Sequence, residues 1–153
     1  MKIKEYQYQT EQFLPTTIER AWDFFSSPKN LSRITPPSMK FKILSTLGSQ
    51  GIYNGMKIQY SVCPIPGIPL HWHTEIDHVH PGASFIDKQL KGPYKKWEHK
   101  HTFTPVENGI MMFDTIHYQI PFSYLGRLLH RVFIRKRIES IFAYRKEVLE
   151  VIF

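Results

Sequence analysis

Hydrophobic and polar residues alternate along most of the chain, in short segments that turn residues separate. Glycine, proline and asparagine punctuate residues 41–120 at the spacing typical of antiparallel hairpins. The alternation predicts an N-terminal strand over residues 2–14, with a phase slip near residues 9–12. It predicts six further strands, over residues 41–47, 56–63, 69–79, 83–90, 97–106 and 110–120. Strands linked by successive hairpins favour one antiparallel sheet.

Two short helices are predicted after the first strand. Thr16 and Glu19 have the spacing of a capping box, in which each side chain satisfies a free amide at a helix start. Apolar residues then recur at helical spacing through Phe25. Ser27 before a proline predicts a second helix start, and that helix should extend to about Ile34.

The chain from about Tyr124 to residue 153 contains no proline and predicts a long C-terminal helix. Its apolar positions shift by about half a turn near Phe133, where we expect a bend or a change of packing partner. The element order predicts an α+β fold: a curved antiparallel sheet of about seven strands, with the long helix over its concave face. Residues 1–153 should form a single domain with a packed core or an elongated cavity between sheet and helix.

Composition and charge narrow the class of protein. The chain of 153 residues is 42% hydrophobic and has a net charge of +7, and residues 125–153 hold seven Lys or Arg against three acids. Such a basic helix has two interpretations: a solvated face that Glu139, Glu147 and Glu150 balance in part, or transient contact with an anionic membrane surface. Nucleic-acid binding is not expected, because no helix-turn-helix, RNP-type strand or zinc-finger pattern is present. The N-terminal residues alternate and lack the apolar block of a signal peptide, which predicts a cytoplasmic location. The single Cys63 excludes an internal disulfide framework.

Several segments carry a resemblance to a known family. They are residues 15–25 (PTTIERAWDFF), 27–31 (SPKNL), 68–72 (IPLHW), 89–103 (QLKGPYKKWEHKHTF) and 141–145 (IFAYR). In these motifs and in their order the chain resembles the START-like or polyketide cyclase/dehydrase (SRPBCC) superfamily, in particular its small single-domain bacterial members. The resemblance implies a helix-grip fold with an internal cavity for a hydrophobic small molecule such as a lipid, isoprenoid or polyketide-like compound. It transfers no catalytic motif.

Strand parity brings polar residues into the predicted inner face. Asp114 points with its apolar neighbours in the last strand, and His99 and His101 share a face of the preceding strand. The turn at Asn108-Gly109 pairs these strands and brings Asp114 to one of the histidines. Two interpretations remain open: an acid–base group facing a ligand, or a hydrogen-bond network that only fixes the strand pair. The candidate catalytic residues are His99, His101 and Asp114. The candidate ligand-binding residues are Tyr60, Trp72, Asp87, Gln89, Trp97, His99, His101, Met112, Asp114 and Tyr118.

Two functions follow from these patterns. The first is binding, for carriage or sequestration, of a hydrophobic small molecule. The alternative is a cofactor-free cyclase, dehydratase or isomerase that uses the His/Asp group as acid and base. No cofactor or metal is expected, although three His-x-His pairs occur. His71 and His73 should face away from the core because Trp72 and Thr74 continue the inward face to Ile76.

Overall fold

The computed structural model describes residues 3–65 and 67–153. Residue 2 of the predicted first strand therefore lies outside the described residues. Within them, antiparallel strands form one sheet in the order β1-β7-β6-β5-β4-β3-β2. The strands are β1 (Glu5–Leu14), β2 (Lys42–Ile43), β3 (Lys57–Ile65), β4 (Ile68–His80), β5 (Ser84–Lys91), β6 (Lys96–Val106) and β7 (Gly109–Gln119). The predicted α+β helix-grip fold, with the long C-terminal helical region over a curved sheet, is confirmed.

The edge strand β2 is shorter than predicted. Only two of residues 41–47 pair with β3. Immediately afterwards the backbone N–H groups of Leu44 and Ser45 both donate to the carbonyl of Gln59. Because two successive donors share one acceptor, the regular pairing pattern ends there.

The first strand pairs with β7 without the predicted phase slip, from Glu5 opposite Gln119 to Leu14 opposite Ile110. Gln12 therefore points inward while Phe13 remains exposed. The buried amide is accommodated because Gln12 Nε2 donates to the carbonyl of Lys146 at 3.0 Å. A hydrogen bond to the C-terminal helix thus explains a polar residue at an inward position.

The N-terminal helical segments differ from the prediction in detail. Helix α1 spans Ile18–Phe25, and its N-cap is Thr17, whose side chain accepts from the backbone N–H of Arg20 at 3.3 Å. The cap therefore lies one residue later than Thr16. The second predicted helix is a 3₁₀-helix over Pro28–Ile34, and a further 3₁₀ turn follows over Pro37–Met39.

The C-terminal helical region has three parts: α2 (Ser123–Leu129), a π-helical turn over His130–Ile134, and α3 (Arg135–Ile152). A π-turn contains more residues than an α-turn and rotates the residues that follow it. This rotation is the physical form of the predicted change of apolar face near Phe133. The buried residues of α3 include Ile138, Phe142 and Leu149, which pack in the core over the sheet.

Candidate ligand-binding site

A cavity of about 300 Å³ lies between the sheet, the segment from Leu31 to Phe41, and α3. Four aromatic side chains form much of its wall: Tyr60 on β3, Trp72 on β4, Trp97 on β6 and Tyr94 in the β5–β6 turn. Trp72 stacks on Tyr60 with ring centroids 5.9 Å apart and meets Trp97 edge-on at 5.4 Å. These contacts hold large apolar surfaces in place around a space suited to a small molecule.

A smaller cavity of about 80 Å³ lies beside the first, towards α1. The two cavities share Leu31, Phe41, Tyr60, Asp87, His101 and Arg145. The polar residues of this shared wall lie where the two spaces meet. A ligand in the larger cavity can therefore direct one polar end towards them.

Two carboxylates and two imidazoles form a buried group across β5, β6 and β7, here called the His/Asp cluster: Asp87, His99, His101 and Asp114. His99 Nε2 lies 2.6 Å from Asp114 Oδ1, and His101 Nε2 lies 2.7 Å from Asp87 Oδ2. The two imidazoles stack on each other with centroids 3.7 Å apart. Each carboxylate thus has one imidazole N–H as its hydrogen-bond donor.

Opposing effects set the charges in the His/Asp cluster. Burial would raise the pKa of Asp114, but the hydrogen bond from His99 and the positive field of both histidines and Arg145 hold that pKa at about 2. Burial would likewise raise the pKa of Asp87, but His99, His101 and Arg145 together lower it below its ordinary value. Burial lowers the pKa of His101, and neighbouring His99 lowers it further. Both carboxylates are therefore ionised at neutral pH, and His101 favours its neutral form.

Arg145 on α3 faces both cavities. Its side chain is buried, and its guanidinium lies over the ring of Phe142, 4.7 Å from the ring centroid. Its Nε has no hydrogen-bond partner among the described residues. Burial lowers the pKa of Arg145, while Asp114 and Asp87 oppose this effect. An arginine stays charged under such shifts, so the cavity wall contains a cation with an unused donor.

The predicted ligand-binding residues fall into two groups. The first lines the larger cavity: Tyr60, Trp72, Asp87, Trp97, His99 and His101. The second does not: Gln89, Met112, Asp114 and Tyr118.

The residues of the second group have other neighbours. Gln89 donates from Nε2 to the carbonyl of Tyr94 at 2.7 Å and accepts from the Tyr94 N–H, so it shapes the β5–β6 turn. Met112 packs in the main core cluster. Tyr118 is fully buried, and its hydroxyl lies 2.7 Å from His130 Nε2. Asp114 does not line the cavity, but it is hydrogen-bonded to the imidazole of His99, which does.

Sequence reasoning did not select Arg145, Arg137, Tyr94 or Ile141 as site residues, although all four line the larger cavity. A signal was present on α3. Arg137, Ile141 and Arg145 are spaced four residues apart, which places them on one helix face with an apolar residue in the middle. Two arginines that share a face with a core isoleucine are candidates for an inward position.

The His/Asp cluster also contains a set of potential metal ligands. One ligand atom each from Asp87, His99 and His101 lies within 4.8 Å of the other two. The two imidazole planes, however, differ by only 26° and are stacked. Ring nitrogens direct their lone pairs in the ring plane, so those of stacked rings do not converge on one point. The arrangement therefore suits hydrogen bonding better than metal coordination.

The comparisons with known proteins identify the fold. No family model and no curated protein matches the chain. Among solved structures, protein CV1439 from Chromobacterium violaceum aligns with a TM-score of 0.72 at 12% identity, over 96% of each chain. A START superfamily protein from Mycobacterium smegmatis aligns with a TM-score of 0.69 at 13% identity, over 94% of each chain. A norcoclaurine synthase point mutant from Thalictrum aligns with a TM-score of 0.67 at 11% identity, over 97% of this chain and 96% of that one.

These similarities cover nearly the whole chain at low identity and therefore concern the fold alone. The chain has a START-like helix-grip fold, the fold that its motifs predicted. A fold does not determine a function, and one of these similar structures is a synthase, so the particular site of this chain must decide its function.

Proposed function

We propose that the protein binds a hydrophobic small molecule, such as a lipid, isoprenoid or polyketide-like compound, in the cavity between the sheet and α3, for carriage or sequestration in the cytoplasm. The observation that carries the proposal is the 300 Å³ cavity with its aromatic wall. Its volume lies at the lower end of the range of small-molecule sites. A compound that fills it would bury apolar surface against this aromatic wall.

Organic extraction of the purified protein followed by mass spectrometry tests this function. We expect the wild-type protein to release an apolar compound or, once stripped, to bind the dye 1-N-phenylnaphthylamine. Ile141→Trp should reduce both signals because Ile141 lines the cavity and a larger side chain would occupy it. Val151→Trp is the matched control, since Val151 lies on the same helix and is exposed. A wild-type protein that neither releases a compound nor binds the dye would contradict the proposal.

Catalysis of proton transfer on the bound compound is the second candidate function. It is favoured by one observation, that His99, His101 and Asp87 line the cavity while Asp114 fixes His99 from behind. A positioned acid or base typically contributes about 10²-fold or more to a rate. A His101→Ala protein would then retain the unreacted compound. A dehydration would make the two extracts differ by the mass of one water, and a cyclisation or isomerisation would give isomers of equal mass that chromatography separates. Either difference supports catalysis, and extracts that are identical in mass and in retention time support binding alone.

The proposed membrane contact involves an exposed apolar surface, here called the apolar rim. It consists of Phe122, Tyr124, Leu125, Leu128, Leu129, Val132 and Phe133. Leu129 and Phe133 also line the larger cavity, so the apolar rim continues into it. The exposed basic residues Arg127 and Arg131 lie within the same stretch, and the exposed Lys136 follows three residues after it. No helix among the described residues is long and apolar enough to cross a membrane.

Apolar side chains flanked by arginines suit an anionic membrane surface, because the apolar groups can enter the acyl-chain boundary while the arginines contact the anionic head groups. Contact there would let a lipid-like ligand pass between the bilayer and the cavity without crossing water. Co-sedimentation with vesicles tests the contact, using phosphatidylcholine alone and an equal mixture with phosphatidylglycerol. We expect binding to the mixed vesicles, and its loss in a Leu125→Ser/Leu128→Ser protein but not in the control Val151→Ser.

The apolar rim could instead be covered by a second copy of the chain. Sedimentation equilibrium distinguishes the two occupants. A wild-type dimer that dissociates in the Leu125→Ser/Leu128→Ser protein, without vesicle binding, would overturn the membrane contact.

A further inference from the structure

Unused hydrogen-bond donors collect around the larger cavity. Five buried side-chain nitrogen or oxygen atoms have no hydrogen-bond partner within the described ranges, and three of them belong to residues that line this cavity: Trp72 Nε1, Arg137 Nε and Arg145 Nε. All three are N–H donors. A buried donor without an acceptor is costly. A ligand that offers acceptor atoms to these donors would therefore be favoured in the cavity.

The charged side chains that line the larger cavity also favour an acceptor group in the ligand. Apart from the histidines, these side chains are Arg137, Arg145 and Asp87. Asp87 already accepts from His101 at 2.7 Å. Arg145 makes no hydrogen bond or close ion pair with any described residue, and the aromatic face of Phe142 is its close partner. Because Arg145 is buried without a hydrogen-bonded carboxylate, a negatively charged ligand group would supply the partner that it lacks.

Arg145 is the better placed of the two arginines. More than nine-tenths of its surface is buried, whereas Arg137 is only half-buried and lies two helical turns away towards the π-turn. Arg145 also lines both cavities, so it lies in the wall that they share. A guanidinium presents parallel N–H groups that match the two oxygens of a carboxylate.

We propose that the ligand is an amphipathic carboxylic acid, with its carboxylate bound by Arg145 and its hydrocarbon or aromatic body between Tyr60, Trp72 and Trp97. This inference rests on the proposed binding function and names the chemical class of the ligand. Arg137 and the indole N–H of Trp72 remain available for further oxygen atoms along the ligand body. The His/Asp cluster lies beside the bound carboxylate, where protonation of an imidazole would offset the added negative charge.

The test compares decanoate with decanol, which share a chain and differ in the head group. Isothermal titration calorimetry of the stripped protein at pH 7 should show decanoate binding at least tenfold more tightly than decanol. Arg145→Met keeps a long apolar side chain without the charge, and should reduce this ratio to about one while leaving the decanol affinity within twofold. Arg145→Lys should retain part of the preference. Arg131→Met, at an exposed position on the same helical region, is the matched control.

Each outcome decides one point. If wild-type protein binds decanol as tightly as decanoate, the carboxylate assignment is wrong and the proposed binding function stands. If neither compound binds and 1-N-phenylnaphthylamine also fails, the binding function itself is wrong, and the assignment with it. Preference for decanoate that persists unchanged in Arg145→Met would place the anion elsewhere and overturn the role of Arg145. Thermal melts monitored by circular dichroism establish that the variants are folded, and the wild-type comparison needs no variant.

Discussion

Asp114 is a carboxylate with only 2% of its surface exposed, and its neighbours decide whether it can stay charged. His99 supplies the short hydrogen bond, and His101 lies 3.4 Å away through Nδ1. Removal of His99 would leave Asp114 without its donor, while removal of Asp114 would leave the imidazole without its acceptor. The two side chains are therefore expected to stabilise the fold as a pair rather than independently.

A double-mutant cycle measures this coupling. Asp114→Asn and His99→Ala should each lower the free energy of unfolding by roughly 1 to 3 kcal/mol, because each leaves a buried polar partner unsatisfied. The double variant should lose clearly less than the sum of the single losses. Urea unfolding of the four proteins provides the values. Additive losses would show that the two residues do not interact in solution.

At the scale of single residues, alternation in the sequence predicted that His99, His101 and Asp114 share the inner face and form a His–Asp contact. It could not predict which histidine takes Asp114. Strand register places His101 directly opposite Asp114, yet the short bond goes to His99 because Asp87 on β5 engages His101. Which histidine hydrogen-bonds which carboxylate depends on the direction of each side chain and on a residue of a third strand. The hydrophobic pattern of a single strand gives no information on either. Arg145 was missed for a similar reason, since its helix position fits a solvated basic face equally well.

At the scale of elements, the junction between α2 and α3 connects the cavity wall to the sheet edge. The half-buried His130 begins the π-turn and stacks on Tyr6 of β1 with ring centroids 3.6 Å apart. Burial lowers the pKa of His130 and raises that of Tyr118. At neutral pH the Tyr118 hydroxyl therefore donates to the imidazole nitrogen. His130 therefore connects the π-turn to both β1 and β7.

Tyr118→Phe should loosen this junction selectively. Loss of one buried hydrogen bond predicts a stability decrease of about 1 kcal/mol. Hydrogen–deuterium exchange should quicken in residues 123–134 while α3 from Ile138 onwards keeps its protection, because its core contacts are unchanged. Tyr124→Phe is the control, since Tyr124 is an exposed tyrosine of α2. Equal acceleration along the whole C-terminal region would contradict a local role for the Tyr118–His130 bond.

At the scale of the whole molecule, the sequence predicted the topology well because hairpin connections leave few alternatives once strands and turns are located. The family resemblance independently pointed to the same architecture. The cavity was only one of two expected outcomes. Its existence depends on how the aromatic side chains of β3, β4 and β6 pack against α3 and the 31–41 segment, which are long-range contacts without a local sequence signal. The two-residue β2 similarly reflects a competition for the Gln59 carbonyl that alternation cannot reveal.

The stability of the whole domain should depend on acid through the buried carboxylates. The pKa of Asp114 is about 2 in the folded protein against an ordinary value of 3.8, so the unfolded chain takes up the proton first as the pH falls. This linkage contributes about 2 kcal/mol that is fully present above pH 3.8 and is lost as the pH falls through the folded value. Asp87 has a pKa shifted in the same direction and adds to the effect.

Urea unfolding between pH 6 and pH 2 should therefore show that the stability difference between wild type and Asp114→Asn narrows towards acid. Met112→Leu, a volume-conserving change two positions away on β7, should lower stability by a similar amount at every pH. A wild-type-minus-Asp114→Asn difference that stays constant across this range would mean that folding does not lower the pKa of Asp114. A difference that grows towards acid would mean that the Asp114 carboxyl is protonated in the folded protein, and that the His/Asp cluster holds one negative charge fewer than its geometry indicates.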